Sequence, residues 1–194
     1  KQPDAYRAAW VGSLHNIASH LGDLGRYEVA LAKAQQAEEI RRELAAKQPD
    51  AYRPAWASSL GNLAHRLGDL GRYEESLATA QEVEKIRREL AANQPDAYRA
   101  DWGLSLANLA EANLRQGQTG AALAAACEAE AILRPLGERF GNDQRAWLGF
   151  SLRLIAEARL ADGDATRGLA AADESAALFQ ALLADRGGYA WDQH

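Results

Sequence analysis

Seven residues, Lys1 to Arg7, return as Lys47 to Arg53, and six of the seven return once more as Gln94 to Arg99 behind Asn93. The period is 46 residues both times. A fixed period of this length marks an array of small units, each unable to bury its apolar face without a neighbour. Cut at that period, the chain gives four blocks: 1–46, 47–92, 93–138 and 139–184. The first two match throughout. The third keeps QPDAYR, Trp102, Ser105, Leu106, Asn108, Leu109 and Ala110, and the fourth keeps Arg145, Ser151, Leu152, Ala156 and Gly163.

Within a block the apolar period is helical. Tyr6, Trp10, Leu14, Ile17 and Leu21 fall on one stripe, GDLGR interrupts it, and Tyr27, Ala30, Leu31, Ala34, Ala37, Ile40 and Leu44 make a second. Val, Ile and Thr are scarce and Ala, Leu, Glu and Arg dominate, which disfavours a sheet. The expected fold is therefore all-α, four antiparallel helical hairpins stacked as an α-solenoid. Pro3 and its copies should end the preceding helix, because the residue before proline is pushed out of the helical region. Asp4 is the expected N-cap of each first helix. Gly22 and Gly25 carry the turn. Pro135 should stop the second helix of block three early. Asn113 and Arg159 stand where blocks one and two have leucines, and Trp147 comes one place before the other repeat tryptophans. A local register slip or a rotated helix is the expectation there.

These residues resemble the tetratricopeptide repeat family. The resemblance runs through Leu14, Ile17, Ala18, Leu21, Gly25, Tyr27, Ala30, Ala34, Ala37 and Ile40 in block one, and through Leu60, Leu63, Ala64, Leu67, Gly71, Tyr73, Ala80 and Ile86 in block two. The chain departs from the pattern at Ser76, Thr119, Ala165 and Gly168. The blocks exceed the family's motif by 12 residues, at the start of the first helix and the end of the second, similar to the long repeats of kinesin light chains and many bacterial regulatory proteins. Tyr6, Trp10, Tyr52, Trp56, Tyr98 and Trp102 are expected to fill that added layer. The resemblance implies a right-handed superhelix whose first helices line a concave surface, a non-catalytic role in holding a peptide or partner protein there, and a cytoplasmic setting.

With Asn16 at the centre of that surface, helical geometry places a strip of residues around it. Block one contributes Ser19 and Asp23, block two Asn62, His65 and Asp69, block three Leu104, Asn108, Glu111 and Arg115, and block four Trp147, Phe150 and Leu154. A carboxamide offers a donor and an acceptor together, as an extended peptide requires. In peptide-binding members of the family asparagines at this position clamp the bound chain, so the resemblance makes Asn16, Asn62 and Asn108 a candidate track. The alternative is that each amide bonds the adjacent helix and only spaces the repeats. The apolar end of the strip is a candidate pocket.

Other functions find little support. A net charge of −5 with no long basic run argues against nucleic acid. No apolar run approaches the ~20 residues of a membrane span. The single cysteine, Cys127, suits a reducing compartment. Four histidines without helical metal spacing, and no phosphate loop or nucleophile elbow, predict no metal, no cofactor and no enzyme activity. Glu38, Glu39, Arg41, Arg42 and Glu43 are expected to form a solvated face with a Glu38–Arg42 pair. The arginine shared by all blocks, at 7, 53, 99 and 145, points away from the strip and should make a structural ion pair between repeats. A start at a repeat boundary without methionine suggests a fragment of a longer protein. Residues 187–194 read as a tail or the opening of a further repeat. Two further roles stand beside the scaffold: a regulatory arm of a larger signalling ATPase or protease-like protein, and self-assembly into a homo-oligomer through the end faces of the array.

Overall fold

The computed structural model describes residues 3–188, so most of the expected tail lies outside the described residues. Eight helices follow one another: α1 (Pro3–Asp23), α2 (Tyr27–Lys47), α3 (Pro49–Asp69), α4 (Tyr73–Asn93), α5 (Pro95–Arg115), α6 (Thr119–Phe140), α7 (Asn142–Ala161) and α8 (Ala165–Gly188). No strand occurs among the described residues. The chain forms two compact units, Lys1–Asn93 with α1 to α4 and Gln94–His194 with α5 to α8. In each, consecutive helices pack as hairpins, and the two first helices also touch, α1 with α3 and α5 with α7.

The repeated motifs explain the boundaries. Each hairpin turns on a glycine with positive φ, Gly25, Gly71, Gly117 and Gly163, a conformation that costs glycine no side-chain clash. Between hairpins a single residue breaks the helix. Gln48 is extended at φ −140° and ψ 77°, as the residue before a proline must be, and Pro49 starts α3. Gln48, not Asp50, is thus the N-cap, and its side chain makes no cap hydrogen bond. Asp4 and Asp50 lie inside the first turn, where a carboxylate favours the positive end of the helix dipole. Block four has no QPD, and there Gly141 makes the break at φ 96°.

Several local expectations are corrected. Pro135 lies inside α6, which runs on to Phe140. The carbonyl it deprives of a partner belongs to Ala131, an exposed residue that water can serve. Neither α5 nor α7 slips register: Ser59, Ser105 and Ser151, equivalent in the repeat, are all buried. Asn113 occupies the leucine slot at 5% exposure, with Nδ2 donating to the Leu109 carbonyl at 2.9 Å. Leu148 is buried in the slot that tryptophan fills elsewhere, which leaves Trp147 exposed without any rotation of α7.

The added layer fills in some repeats and not in the first. Tyr52 packs on the Val11, Leu14, Ala37, Ile40 and Leu44 cluster. The Trp56 indole donates to Glu38 Oε1 at 2.9 Å, and Trp102 packs on the core of the second unit. Tyr6, Trp10 and Ile17 are instead 79%, 49% and 45% exposed. Tyr52 and Trp56 make these contacts with the preceding hairpin, and α1 follows no hairpin among the described residues.

The repeated arginine does form ion pairs, but it closes its own hairpin rather than bridging repeats. Arg7 binds Glu43, Arg53 binds Glu89, and Arg145 reaches Asp185 at 3.3 Å. In block three the position of the glutamate is taken by Pro135.

Candidate functional site

Burial along the first helices tests where the strip lies. In α3, past its exposed first turn, the exposed residues are Ser58, Asn62 and His65, with Ala55 and Asp69 half-buried beside them. That set is the strip expected from helical geometry. In α1, Gly12, Asn16, Ser19 and Asp23 are exposed. In α5, Asp101 and Arg115 are exposed and Leu104, Asn108 and Glu111 half-buried. In α7, Trp147 and Glu157 are exposed and Phe150 half-buried, whereas Leu154, at 1% exposure, belongs to the core and offers a ligand nothing. Because α1 touches α3, and α5 touches α7, each unit presents its own open face.

The amides on this face are unengaged: among the described residues no hydrogen bond involves the side chain of Asn16, Asn62 or Asn108. Along the strip Glu111 pairs with Arg115 at 3.0 Å and His65 Nε2 lies 3.9 Å from Asp69, which Arg66 holds from the side at 3.1 Å. In the second unit the Trp147 and Phe150 rings meet edge to face at 5.9 Å, and the Arg153 guanidinium lies 4.8 Å from the Phe150 ring centre.

Sequence reasoning missed what lies beneath the face. Arg41 belongs to a run read as solvated, yet it and its block-two equivalent Arg87 both turn toward the first helix of their hairpin. Arg41 Nη2 donates to the Ala8 carbonyl at 3.1 Å. Arg87, 8% exposed, reaches Ser58 Oγ at 3.5 Å. Glu38 is buried too, shared between Trp56 and Arg42. The missed signal was the repeat itself, since the same position is Leu133 in block three and Phe179 in block four. On the first helices the equivalent positions Val11, Ala57, Gly103 and Gly149 vary with it. A Cβ on Gly103 would come within 2.9 Å of Leu133 and one on Gly149 within 3.0 Å of Phe179. Where an apolar chain descends on the first helix, that helix yields a glycine.

Burial sets the electrostatics here. It holds the Arg41 guanidinium below its usual range, with Tyr52 acting weakly the other way. It also lowers the His15 imidazole, and nearby Arg41 lowers it further. Cys127, half-buried on the core of the second unit, has its thiol pushed up by burial, the behaviour of a packing residue rather than a nucleophile. A cleft of about 420 Å³ in the second unit is lined by Arg134, Arg145, Leu148 and Leu178, but both guanidiniums are already held by carboxylates. Among the described residues no cluster of potential metal ligands forms, and no helix is long and apolar enough to cross a membrane.

Comparison with known proteins agrees with the helical-repeat fold. The tetratricopeptide repeat family model matches residues 56–96. No curated protein matches the chain. Among solved structures, the chain is similar to the nearly identical TPR-like repeats of a putative kinesin light chain from Podosopora anserina. The identity is 19% and the TM-score 0.61, covering 87% of this chain and 74% of the other. A second structure of those repeats, carrying one substitution, aligns at 17% identity and a TM-score of 0.44 over 92% and 96% of the two chains. BtubC (BKLC) from P. vanneervenii aligns at 14% and 0.34 over 94% and 93%. The matched segment covers α3 from Trp56 on and the whole of α4, and the chain shares the fold of those kinesin-light-chain TPR-like repeats.

Proposed function

We propose that the chain is a non-catalytic scaffold that holds an extended segment of a partner protein on the open face of its first helices. One observation carries this reading: the surface of α3 beyond its first turn narrows to Ser58, Asn62 and His65, and the amides at Asn16 and Asn62 are not consumed by bonds within the protein. An amide left free at an equivalent place in neighbouring helices can accept from one peptide N–H and donate to one peptide carbonyl. The small residues beside it, Ala9, Gly12 and Ser58, leave room for a backbone to approach.

The test is a random peptide library displayed against the intact chain, followed by affinities for the enriched peptides. Replacing Asn16, Asn62 and Asn108 together by alanine should weaken binding about tenfold or more, with circular dichroism unchanged. Equal binding to both proteins would make the amides bystanders.

A further inference from the structure

Two half-buried basic side chains in the first hairpin, His15 and Arg41, stand apart from the ion pairs among the described residues. His15 Nε2 and Arg41 Nε are both shielded from solvent, and neither has a hydrogen-bond partner. Buried polar atoms are rarely left this way, because each forfeits its bonds to water. The two side chains sit close enough for Arg41 to act on the imidazole. Neither side chain forms an ion pair with a carboxylate among the described residues, and the one hydrogen bond of the Arg41 guanidinium there goes to the Ala8 carbonyl. Elsewhere the guanidiniums of Arg7, Arg53, Arg72, Arg134 and Arg153 all meet glutamates.

The arrangement is specific to block one. The two positions hold Gly61 and Arg87 in block two, Ala107 and Leu133 in block three, and Arg153 and Phe179 in block four. Gly12, one helical turn from both Ala8 and His15, is exposed and has open space where a side chain would stand. Arg41 itself is only partly buried, so a solute approaching over Gly12 can reach it.

We propose that His15 and Arg41 form an oxyanion-binding site at the open face of the first hairpin, taking a carboxylate or a phosphate. The planar guanidinium is suited to a flat or tetrahedral oxyanion and keeps its charge at any accessible pH. One Nη is spent on the Ala8 carbonyl, which fixes the plane of the group. The imidazole supplies a second donor from α1. This site does not depend on the peptide track, although a peptide lying over Asn16 would bring its acidic side chains within reach.

The test follows the histidine resonances of the intact chain by NMR at constant pH and ionic strength, with His15→Ala assigning the signal. The probes are inorganic phosphate and acetyl-Ala-Asp-Ala-amide, with acetyl-Ala-Asn-Ala-amide as control. A saturable shift of His15 with phosphate or the aspartyl peptide is expected, none with the asparaginyl peptide, and at least a tenfold loss of affinity in Arg41→Gln. Whichever probe saturates identifies the source of the oxyanion. Alanine is the residue of block three at the histidine position, so His15→Ala offers a folded second variant, read by equilibrium dialysis of the same probes; the same loss is expected. No saturation with either probe, or undiminished binding in either variant, overturns the site. Asn16→Ala should leave phosphate binding unchanged, which separates failure of this site from failure of the peptide track.

Discussion

The two units solve one packing problem with different chemistry. Each must fill the space between the first and second helix of a hairpin, at the position of Arg41 and its copies. The first unit uses arginines there, which reach the Ala8 carbonyl and Ser58 Oγ, and holds Val11 and Ala57 where the second unit has glycines. The second uses Leu133 and Phe179, with Gly103 and Gly149 opposite. The first unit thus keeps polar groups beneath its open face and divides its core into two small clusters. The second gathers one larger core, which draws Leu154 in from the strip. Repeats that share a backbone can differ in what they offer a ligand because one position against the first helix changes, half-buried as Arg41, buried as Arg87 and Leu133 and exposed as Phe179, and a glycine faces it where it is apolar.

Substitutions can break this comparison. Leu133→Ala should have the largest effect, about 2–5 kcal/mol off the second unit, because a fully buried leucine leaves a cavity in the joined core. Denaturant unfolding read as midpoint and slope measures it, and a loss under about 1 kcal/mol would mean that the glycine side collapses to fill the gap. Gly103→Val installs the residue of block one opposite Leu133 and should cost about 1–3 kcal/mol by overpacking. If stability is unchanged, the size match between the two positions is incidental. Trp56→Phe removes the indole donor to buried Glu38 and should cost about 1 kcal/mol in the first unit, with Arg42 at 3.9 Å offsetting part of the loss.

The smallest effect concerns pH. His15 titrates below its unfolded value near 6.5, so between the two values the unfolded chain binds more protons. The first unit should therefore lose stability as pH falls through about 6.5, the contribution being complete above that value. Thermal melting at about pH 5 and pH 7.5, either side of that value, should show a smaller difference in His15→Ala than in the unaltered chain; an identical difference would place the histidine in water.

Much of the candidate site was legible because a helix reveals its faces through spacing. The open strip of α3 was countable from Asn62 alone, and the turn glycines and the proline breaks announced themselves in repeated motifs. Arg41 and Arg87 were not legible from their own block, since a charged run on a helix is ordinarily solvated. Their burial depends on how closely the paired helix approaches. Tyr6 and Trp10 differ for a related reason: Tyr52 and Trp56 are half-buried against the hairpin ahead of them, and among the described residues no helix lies ahead of α1.

The amino-acid sequence by itself determined the hairpins, their number, the glycine turns within them and the open face of α3, because period and turn chemistry are local properties of the chain. Only the tertiary structure decided which members of that face stay accessible and which charges lie beneath it. Burial depends on the residue across the contact, and that partner lies some 30 residues away along the chain, as with Ala8 and Arg41 or Gly103 and Leu133.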